Sequence, residues 1–314
     1  MRIRKKTGNI KDSNRARIFD ISEFSIDDGP GKRIVVYFQG CKIHCTWCHS
    51  PHSQLDKSPL LFNRNLCKKC KRCVTACPHN VHRFEGDKHI VNRTLCRQCG
   101  ICIAQCPCSI EGVNGSALHL PTITTSISNL YHQIEPYIHI VRKNGGITLS
   151  GGEALLQFEA AKELLMECIK HDYHTAVETS GLLPISLYSQ IQPFVKLWLF
   201  GIRVTTGNNV SHFAHIDKVL HYLIQEKATI LPRIPMVPGV FDKDEILIQI
   251  KELLNKYSID TVCLLPWNKD FNHYYEKADI PLEIDAPAQI EVEVCENKII
   301  TFFKNNNFRL YENR

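Results

Sequence analysis

The chain has 314 residues, 44% of them hydrophobic and 22% charged, with 16 Gly and 15 Pro. That usage is ordinary for a globular protein and excludes disordered, collagen-like and low-complexity classes. The formal net charge of +6 is modest, so nucleic-acid binding is not expected, and no apolar run reaches the roughly 18 residues of a membrane span.

The N-terminal stretch MRIRKKTGNIKDSNR is basic and no apolar segment follows it. Residues 1–17 therefore read as a flexible tail of a cytoplasmic protein rather than a secretory signal. Arg33 to Phe38 (RIVVYF) is β-branched and aromatic, hence a strand, and it runs straight into Gly40 and Cys41. From about Ser50 to Leu120 the apolar periodicity gives way to cysteine, proline and basic residues. Beyond Leu120, strands begin at Ile147, His174, Val195, Ala228 and Thr261. Helices are expected over Ala154 to His171, Ile185 to Ile191, His215 to Glu226, Lys243 to Tyr257 and Ala288 to Asn305. With RIVVYF these make six strand–helix units, an alternation that argues for a parallel sheet covered by helices. A flat doubly wound sheet and a partial barrel share this pattern, and both gather ligands at the carboxyl ends of their strands. Cys41, Gly151 and Glu178 fall at such ends.

Fifteen cysteines dominate the chemistry. In a cytosolic chain they are metal ligands or catalytic groups more often than disulfides. LCKKCKRCVTACPHN, from Leu66, and LCRQCGICIAQCPCS, from Leu95, are two copies of one unit that reads C-x2-C-x2-C-x3-C-P. This is the run of bacterial two-cluster ferredoxins, in which the fourth Cys ligates the other cluster. Cys67, Cys70, Cys73 and Cys106 are expected around one 4Fe–4S cluster, and Cys96, Cys99, Cys102 and Cys77 around a second. Residues 53–119 thus read as a ferredoxin-like domain inserted into a larger one made of residues 18–52 and 120–314. Cys108 reads as a spare thiol, and Cys168, Cys263 and Cys295 as buried apolar residues. Lys68, Lys69, Lys71 and Arg72, between the cysteines, form either a solvated surface or a docking patch for an acidic partner.

A third cysteine group differs. Cys41, Cys45 and Cys48 form C-x3-C-x2-C, with Trp47 just before the last. Three thiolates on a four-iron cube leave one iron open to a substrate, much as a catalytic zinc keeps an open position. Ser150-Gly151-Gly152-Glu153 follows the second strand, and its glycines let the main chain approach a ligand closely. His44, His49 and His52, near the cysteine loop, read as solvated or capping residues.

The C-x3-C-x2-C spacing resembles that of the radical S-adenosylmethionine superfamily. Further motifs are similar to those of the glycyl radical enzyme activating enzymes: Asp28-Gly29-Pro30-Gly31 with Arg33, Phe38-Gln39-Gly40-Cys41, NGGITLSGGEALLQ from Asn144, HTAVETSG from His174 and RIPMVPG from Arg233. The ferredoxin insert puts the resemblance nearest the activases of cobalamin-independent glycerol dehydratase and 4-hydroxyphenylacetate decarboxylase. It covers nearly the whole chain after about Ile18.

The resemblance implies an α/β partial (β/α)6 barrel and an anaerobic oxidoreductase. Such an enzyme cleaves S-adenosylmethionine reductively to methionine and a 5′-deoxyadenosyl radical, which takes hydrogen from a glycine of a partner glycyl radical enzyme. It further implies three 4Fe–4S clusters, S-adenosylmethionine as cofactor, and a low-potential donor of the flavodoxin or ferredoxin type. Carried over by residue, Cys41, Cys45 and Cys48 hold the catalytic cluster, and Trp47 with the backbone up to His49 flanks the adenine. Gly151, Gly152 and Glu153 meet the methionine end, and Glu178 lies in the polar pocket beside it. The chain departs from the family in two places. Gly201-Ile202-Arg203 replaces Asp-x-Lys, and Leu264-Leu265-Pro266-Trp267-Asn268 replaces Leu-Leu-Pro-Tyr-His, so Arg203 and Asn268 stand where the family's pocket residues do. Two other readings stand beside the activase: another radical enzyme acting on a small molecule or peptide, and a degenerate electron-transfer iron–sulfur protein.

Overall fold

The computed structural model describes residues 15–110, 115–204 and 209–312. Strands β1 (Arg15–Ser25) and β2 (Arg33–Phe38) open the chain. The insert follows as β3 (Leu61–Phe62), α1 (Arg72–Ala76), β4 (His82–Glu85), β5 (Lys88–Val91), α2 (Ile101–Gln105) and β6 (Leu118–His119). β7 (Ile123–Ser126) and α3 (Ile127–Val141) lead back to the sheet. Then come β8 (Gly146–Gly151), α4 (Phe158–Lys170), β9 (Thr175–Thr179), α5 (Ile185–Ile191), β10 (Leu197–Gly201) and α6 (Asn209–Gln225). The chain continues with β11 (Ile230–Pro235), α7 (Asp244–Lys256), β12 (Thr261–Leu265), α8 (Asn272–Ala278), α9 (Gln289–Asn305) and β13 (Arg309–Leu310).

Nine strands form the main sheet in the order β13-β12-β11-β10-β9-β8-β2-β1-β7. The six strands expected from the sequence lie consecutively in it, and each pairs in parallel with its neighbour. β13 adds in parallel beyond β12, while β1 runs antiparallel to both β2 and β7. β7 and β13 end the sheet and do not pair with each other. Helix faces at 3.6-residue spacing cover the sheet: Leu130, Ile134 and Ile138 from α3, and Ala161, Leu164, Leu165 and Cys168 from α4, all fully buried. No helix among the described residues is long and apolar enough to cross a membrane.

Four boundaries differ from the sequence reading. Residues 1–14 of the expected tail lie outside the described residues, but Arg15 to Arg17 already pair with β7, because Ala16 and Ile18 alternate into the core. α6 begins at Asn209 rather than His215, and α4 at Phe158, after a 3-10 turn over Ala154–Gln157. The insert starts later than residue 53, since Ser53 and Gln54 accept backbone bonds from Gly40 and Cys41 and so belong to the sheet domain. Its root is at Ser58, whose N–H donates to Thr122 Oγ1 at 2.7 Å.

Within the insert the sequence repeat becomes a structural one. Asn63 and Asn92 cap equivalent 3-10 turns. Cys67 and Cys96 Sγ each accept the N–H two residues on, both at 3.4 Å. Lys71 and Gly100, both at positive φ, start the equivalent helices α1 and α2. Arg93 fastens the unit to the large domain. Its guanidinium donates to the carbonyls of Leu60 and Lys277, each at 2.8 Å, and pairs with Asp279 at 3.1 Å. Arg93→Ala should therefore loosen the insert without unfolding the sheet. Hydrogen exchange by mass spectrometry is expected to speed up about tenfold in β3 and β6, equivalent to about 1.4 kcal/mol, with β9 to β11 unchanged. Equal acceleration in both regions would contradict this.

Candidate active site and cluster sites

The catalytic-motif cysteines occupy a loop that leaves β2 at its carboxyl end, and this loop is pressed onto the end of β8. Gly152 N–H donates to Phe38 O at 2.9 Å and Glu153 N–H to Gly40 O at 2.8 Å. A Cβ at Gly151 would lie 2.3 Å from Phe38 N, and one at Gly152 would lie 2.2 Å from Gly40 O. The absent side chains of these glycines thus face the β2 backbone, whereas the sequence reading assigned them to a ligand. Gln39, fully buried, holds the far side of the loop by donating to the carbonyls of His52 and Leu55 at 2.8 and 2.7 Å.

Cys41, Cys45 and Cys48 share this loop and feel one another's charge. Burial pushes the Cys41 thiol up to about 11 and Cys45 to about 12, with the Arg203 guanidinium opposing. Thiols so protonated become thiolates only with a cation to hold them, which suits a metal cluster. Trp47 is buried; its indole N–H donates to Val204 O at 3.1 Å, and the Arg203 guanidinium sits over its ring at 5.6 Å. His44 and His49 are exposed. His52, expected to be solvated or capping, is instead fully buried between Tyr274 and Phe19.

Behind the loop lies a buried ionic network. Glu178 pairs through Oε1 with Arg203 at 3.0 Å and through Oε2 with Arg233 at 3.3 Å, and accepts Ser150 Oγ at 2.6 Å. Arg233 also reaches Asp28 at 3.4 Å. Burial alone would raise the Glu178 carboxyl, but the two guanidinium groups and the Ser150 hydroxyl outweigh it and hold it down at about 2. Glu153 differs. It is buried, its pKa is raised by that burial, and Oε2 accepts Ser180 N, Ser180 Oγ and Thr179 Oγ1, while Oε1 has no hydrogen-bond partner among the described residues. Glu153 also lines a cleft of about 1340 Å3 open volume, with Lys42, Ser180 and the apolar Leu155, Leu156 and Leu183.

The two departures from the family pattern separate here. Arg203 stands in the network, and its guanidinium fills the space over Gly201: a Cβ there would lie 2.8 Å from Arg203 Cζ. Gly201 and Arg203 are thus a matched pair. Asn268 stands apart, exposed, its Oδ1 accepting Asp270 N–H at 2.9 Å in the turn before α8.

In the insert, two small cavities divide the remaining cluster-motif cysteines. Cys67, Cys70, Cys73 and Cys106 line the first, and Cys77, Cys96, Cys99 and Cys102 the second. These are the two crossed quartets expected from the sequence. Cys108 also lines the first cavity. Cys168 and Cys295 are buried as expected, whereas Cys263 is only half-buried.

Two residues escaped the sequence reading. His89 Nδ1 lies 3.5 Å from Cys67 Sγ, and its Nε2 lies 3.6 Å from Cys73 Sγ and 3.1 Å from His82 Nδ1. Burial lowers both histidines to about 4, so they are neutral at pH 7. Period-two alternation in β5 puts His89 on the face of the buried Val91, a signal available in the sequence.

Comparison with known proteins places these sites in a family. Residues 59–107 match a 4Fe-4S dicluster domain. The choline trimethylamine-lyase activating enzyme of Oleidesulfovibrio alaskensis is 32% identical, over 90% of this chain and 96% of its own. The trans-4-hydroxy-L-proline dehydratase activating enzyme of Clostridioides difficile is 33% identical, over 93% and 97%. The 4-hydroxyphenylacetate decarboxylase activating enzyme of the same species is 28% identical, over 80% and 82%. The chain belongs to the glycyl radical enzyme activating enzymes, iron–sulfur oxidoreductases of the radical S-adenosylmethionine type.

Proposed function

We propose that Cys41, Cys45 and Cys48 hold the cluster that meets S-adenosylmethionine, that the two quartets of the insert hold two further 4Fe–4S clusters, and that the parallel strands form a partial (β/α)6 barrel around the site. This reading rests on one juxtaposition. A three-cysteine loop lies at the carboxyl edge of the sheet between a buried carboxylate with a free oxygen and a half-buried guanidinium. A methionine moiety carries the complementary pair of charges. Glu153 Oε1 takes its ammonium, whose arrival offsets the cost of burying that carboxylate alone. Arg203, held by Glu178 and by the face of Trp47, presents its remaining donors to the carboxylate. Trp47 and the backbone through His49 flank the adenine.

Held by Cys41, Cys45 and Cys48, the cluster would supply the one-electron reduction of S-adenosylmethionine that leads to hydrogen removal from a glycine α-carbon of the partner. The cleft beside Glu153, with its leucine-rich wall, is where we place the partner's glycine loop. The electron donor in this reading is a low-potential flavodoxin- or ferredoxin-type protein, and the setting is the cytoplasm. Asn268 serves the turn before α8 and is assigned no cofactor contact.

Three outcomes test the reading. Anaerobically reconstituted protein, reduced with dithionite and given S-adenosylmethionine, should release 5′-deoxyadenosine, and Cys45→Ala should release none; a loaded, reducible protein that makes no product would refute it. Iron should fall from about twelve to about eight per chain in the Cys67→Ser, Cys73→Ser double variant, and remain near twelve if the insert holds no cluster there. Gly201→Asp should displace Arg203 and weaken S-adenosylmethionine binding about tenfold by calorimetry. Adding Arg203→Lys should recover part of that loss, since the shorter, non-planar group leaves room for the new side chain. Equal affinity in Gly201→Asp and the parent would remove Arg203 from the pocket.

A further inference from the structure

The positive charge of this chain is concentrated in its N-terminal stretch and in the insert. Residues 1–17 carry seven Lys or Arg against one Asp, the other 248 residues outside the insert carry 22 against 29, and residues 59–107 carry nine against two. Part of that surplus offsets the anionic clusters proposed for the two quartets, but its distribution between the two copies is uneven. In the first copy the residues between and just after the opening cysteines are Lys68, Lys69, Lys71 and Arg72. At the same positions the second copy has Arg97, Gln98, Gly100 and Ile101. The backbones of the two turns are alike, and each exposes a leucine, Leu66 at 42% and Leu95 at 43%. Shape and apolar exposure therefore do not distinguish the two faces; charge does.

All four cations of the first copy are exposed, and they surround Cys70, itself exposed. Lys69 pairs with Asp87 at 3.4 Å, while Lys68 and Arg72 make no ion pair among the described residues. The two quartets also differ in their distance along the insert from its root. The second cavity is lined by Leu60 and Leu120, next to Ser58 and Thr122, and Gln98 Nε2 donates to Ser58 O at 3.0 Å. The first is lined by Phe62, Ala117 and Leu118, farther out along β3 and β6. The charged face is thus at the outer end, and the nearly neutral one faces the large domain.

We propose that the basic face around Cys70 docks an acidic one-electron carrier protein, so that electrons enter at the Cys67–Cys70–Cys73–Cys106 quartet and leave through the Cys77–Cys96–Cys99–Cys102 quartet toward the Cys41 loop. This deepens the proposed function and rests on its assignment of two clusters to the insert. One electron moves per encounter: the carrier is oxidised by one, the outer cluster is reduced by one, and no bond is made or broken. Exposed cations of this kind act on the encounter rate and its salt dependence.

The test uses full-length, cluster-loaded protein and measures cluster bleaching by anaerobic stopped flow, with a reduced acidic ferredoxin as probe and photoreduced 5-deazariboflavin as a neutral small-molecule control. In Lys68→Glu, Lys69→Glu, Arg72→Glu the second-order rate with ferredoxin should fall at least about tenfold at low salt and lose most of its salt dependence. Arg97→Glu should change it less than about twofold, and deazariboflavin should reduce every variant alike. Unchanged ferredoxin kinetics in the triple variant, or an equal loss in Arg97→Glu, would overturn the proposal. If the triple variant loads less iron, the neutralising pair Lys68→Gln, Arg72→Gln takes its place, with an expected loss of about threefold. Bleaching needs neither S-adenosylmethionine nor a glycyl radical enzyme. Failure of the parent to make 5′-deoxyadenosine under deazariboflavin would therefore count against the proposed function and leave the docking result standing.

Discussion

The contact on which the site depends is between backbones. Gly151 and Gly152 let the end of β8 lie against Phe38 to Gly40 at distances no side chain would permit, and two hydrogen bonds lock the approach. Everything chemical hangs from that seam. On one side the chain turns into the cysteine loop, and on the other Glu153 is carried into the interior. Any larger residue at Gly152 would push Cys41 away from Glu153, because the obstacle is main chain and has no rotamer to change. The glycines thereby set the distance between the cysteine loop and Glu153.

The second determinant is electrostatic. Glu178 ties β9 to Arg203 and Arg233, and Arg233 extends the tie to Asp28 in the loop before β2. Buried charges of this kind are costly unless each is paired, and removing one strands the others. The network is correspondingly complete: both oxygens of Glu178 are engaged, and its carboxyl stays ionised far below neutral pH. Glu153, just beyond the end of the neighbouring strand β8, breaks that pattern with one oxygen left over. The contrast distinguishes a carboxylate with both oxygens engaged from one with an oxygen to spare.

Much of this was legible in the sequence where a local pattern carried it. The six parallel strands announced themselves through β-branched runs, and the cysteine quartets through spacing alone, because a cluster imposes its own geometry on the ligands. What escaped depended on long-range packing. β1 was not expected, and its first three residues were read as tail, since basic Arg15 and Arg17 mask the inward alternation of Ala16 and Ile18. Asn268 was grouped with the pocket by its place in a motif, yet its side chain closes a local turn. His52 looked like a surface residue and is enclosed by Phe19 and Tyr274 from distant segments. The pairing of Gly201 with Arg203 was visible as two departures, but their compensation is a fact of volume, which a one-dimensional reading lacks.

Helix α8 has a consequence of its own. Its Lys277 carbonyl receives Arg93 from the insert, its Tyr275 hydroxyl donates to the Thr46 carbonyl in the catalytic-cysteine loop at 3.3 Å, and Tyr274 stacks on His52. Seven residues thus brace the insert against the catalytic-cysteine loop, in addition to the two chain connections at its root. Electron tunnelling decays steeply with separation, so a rocking insert would average over mostly unproductive gaps. In the proposed electron route, α8 acts as a strut that holds the insert against the catalytic-cysteine loop.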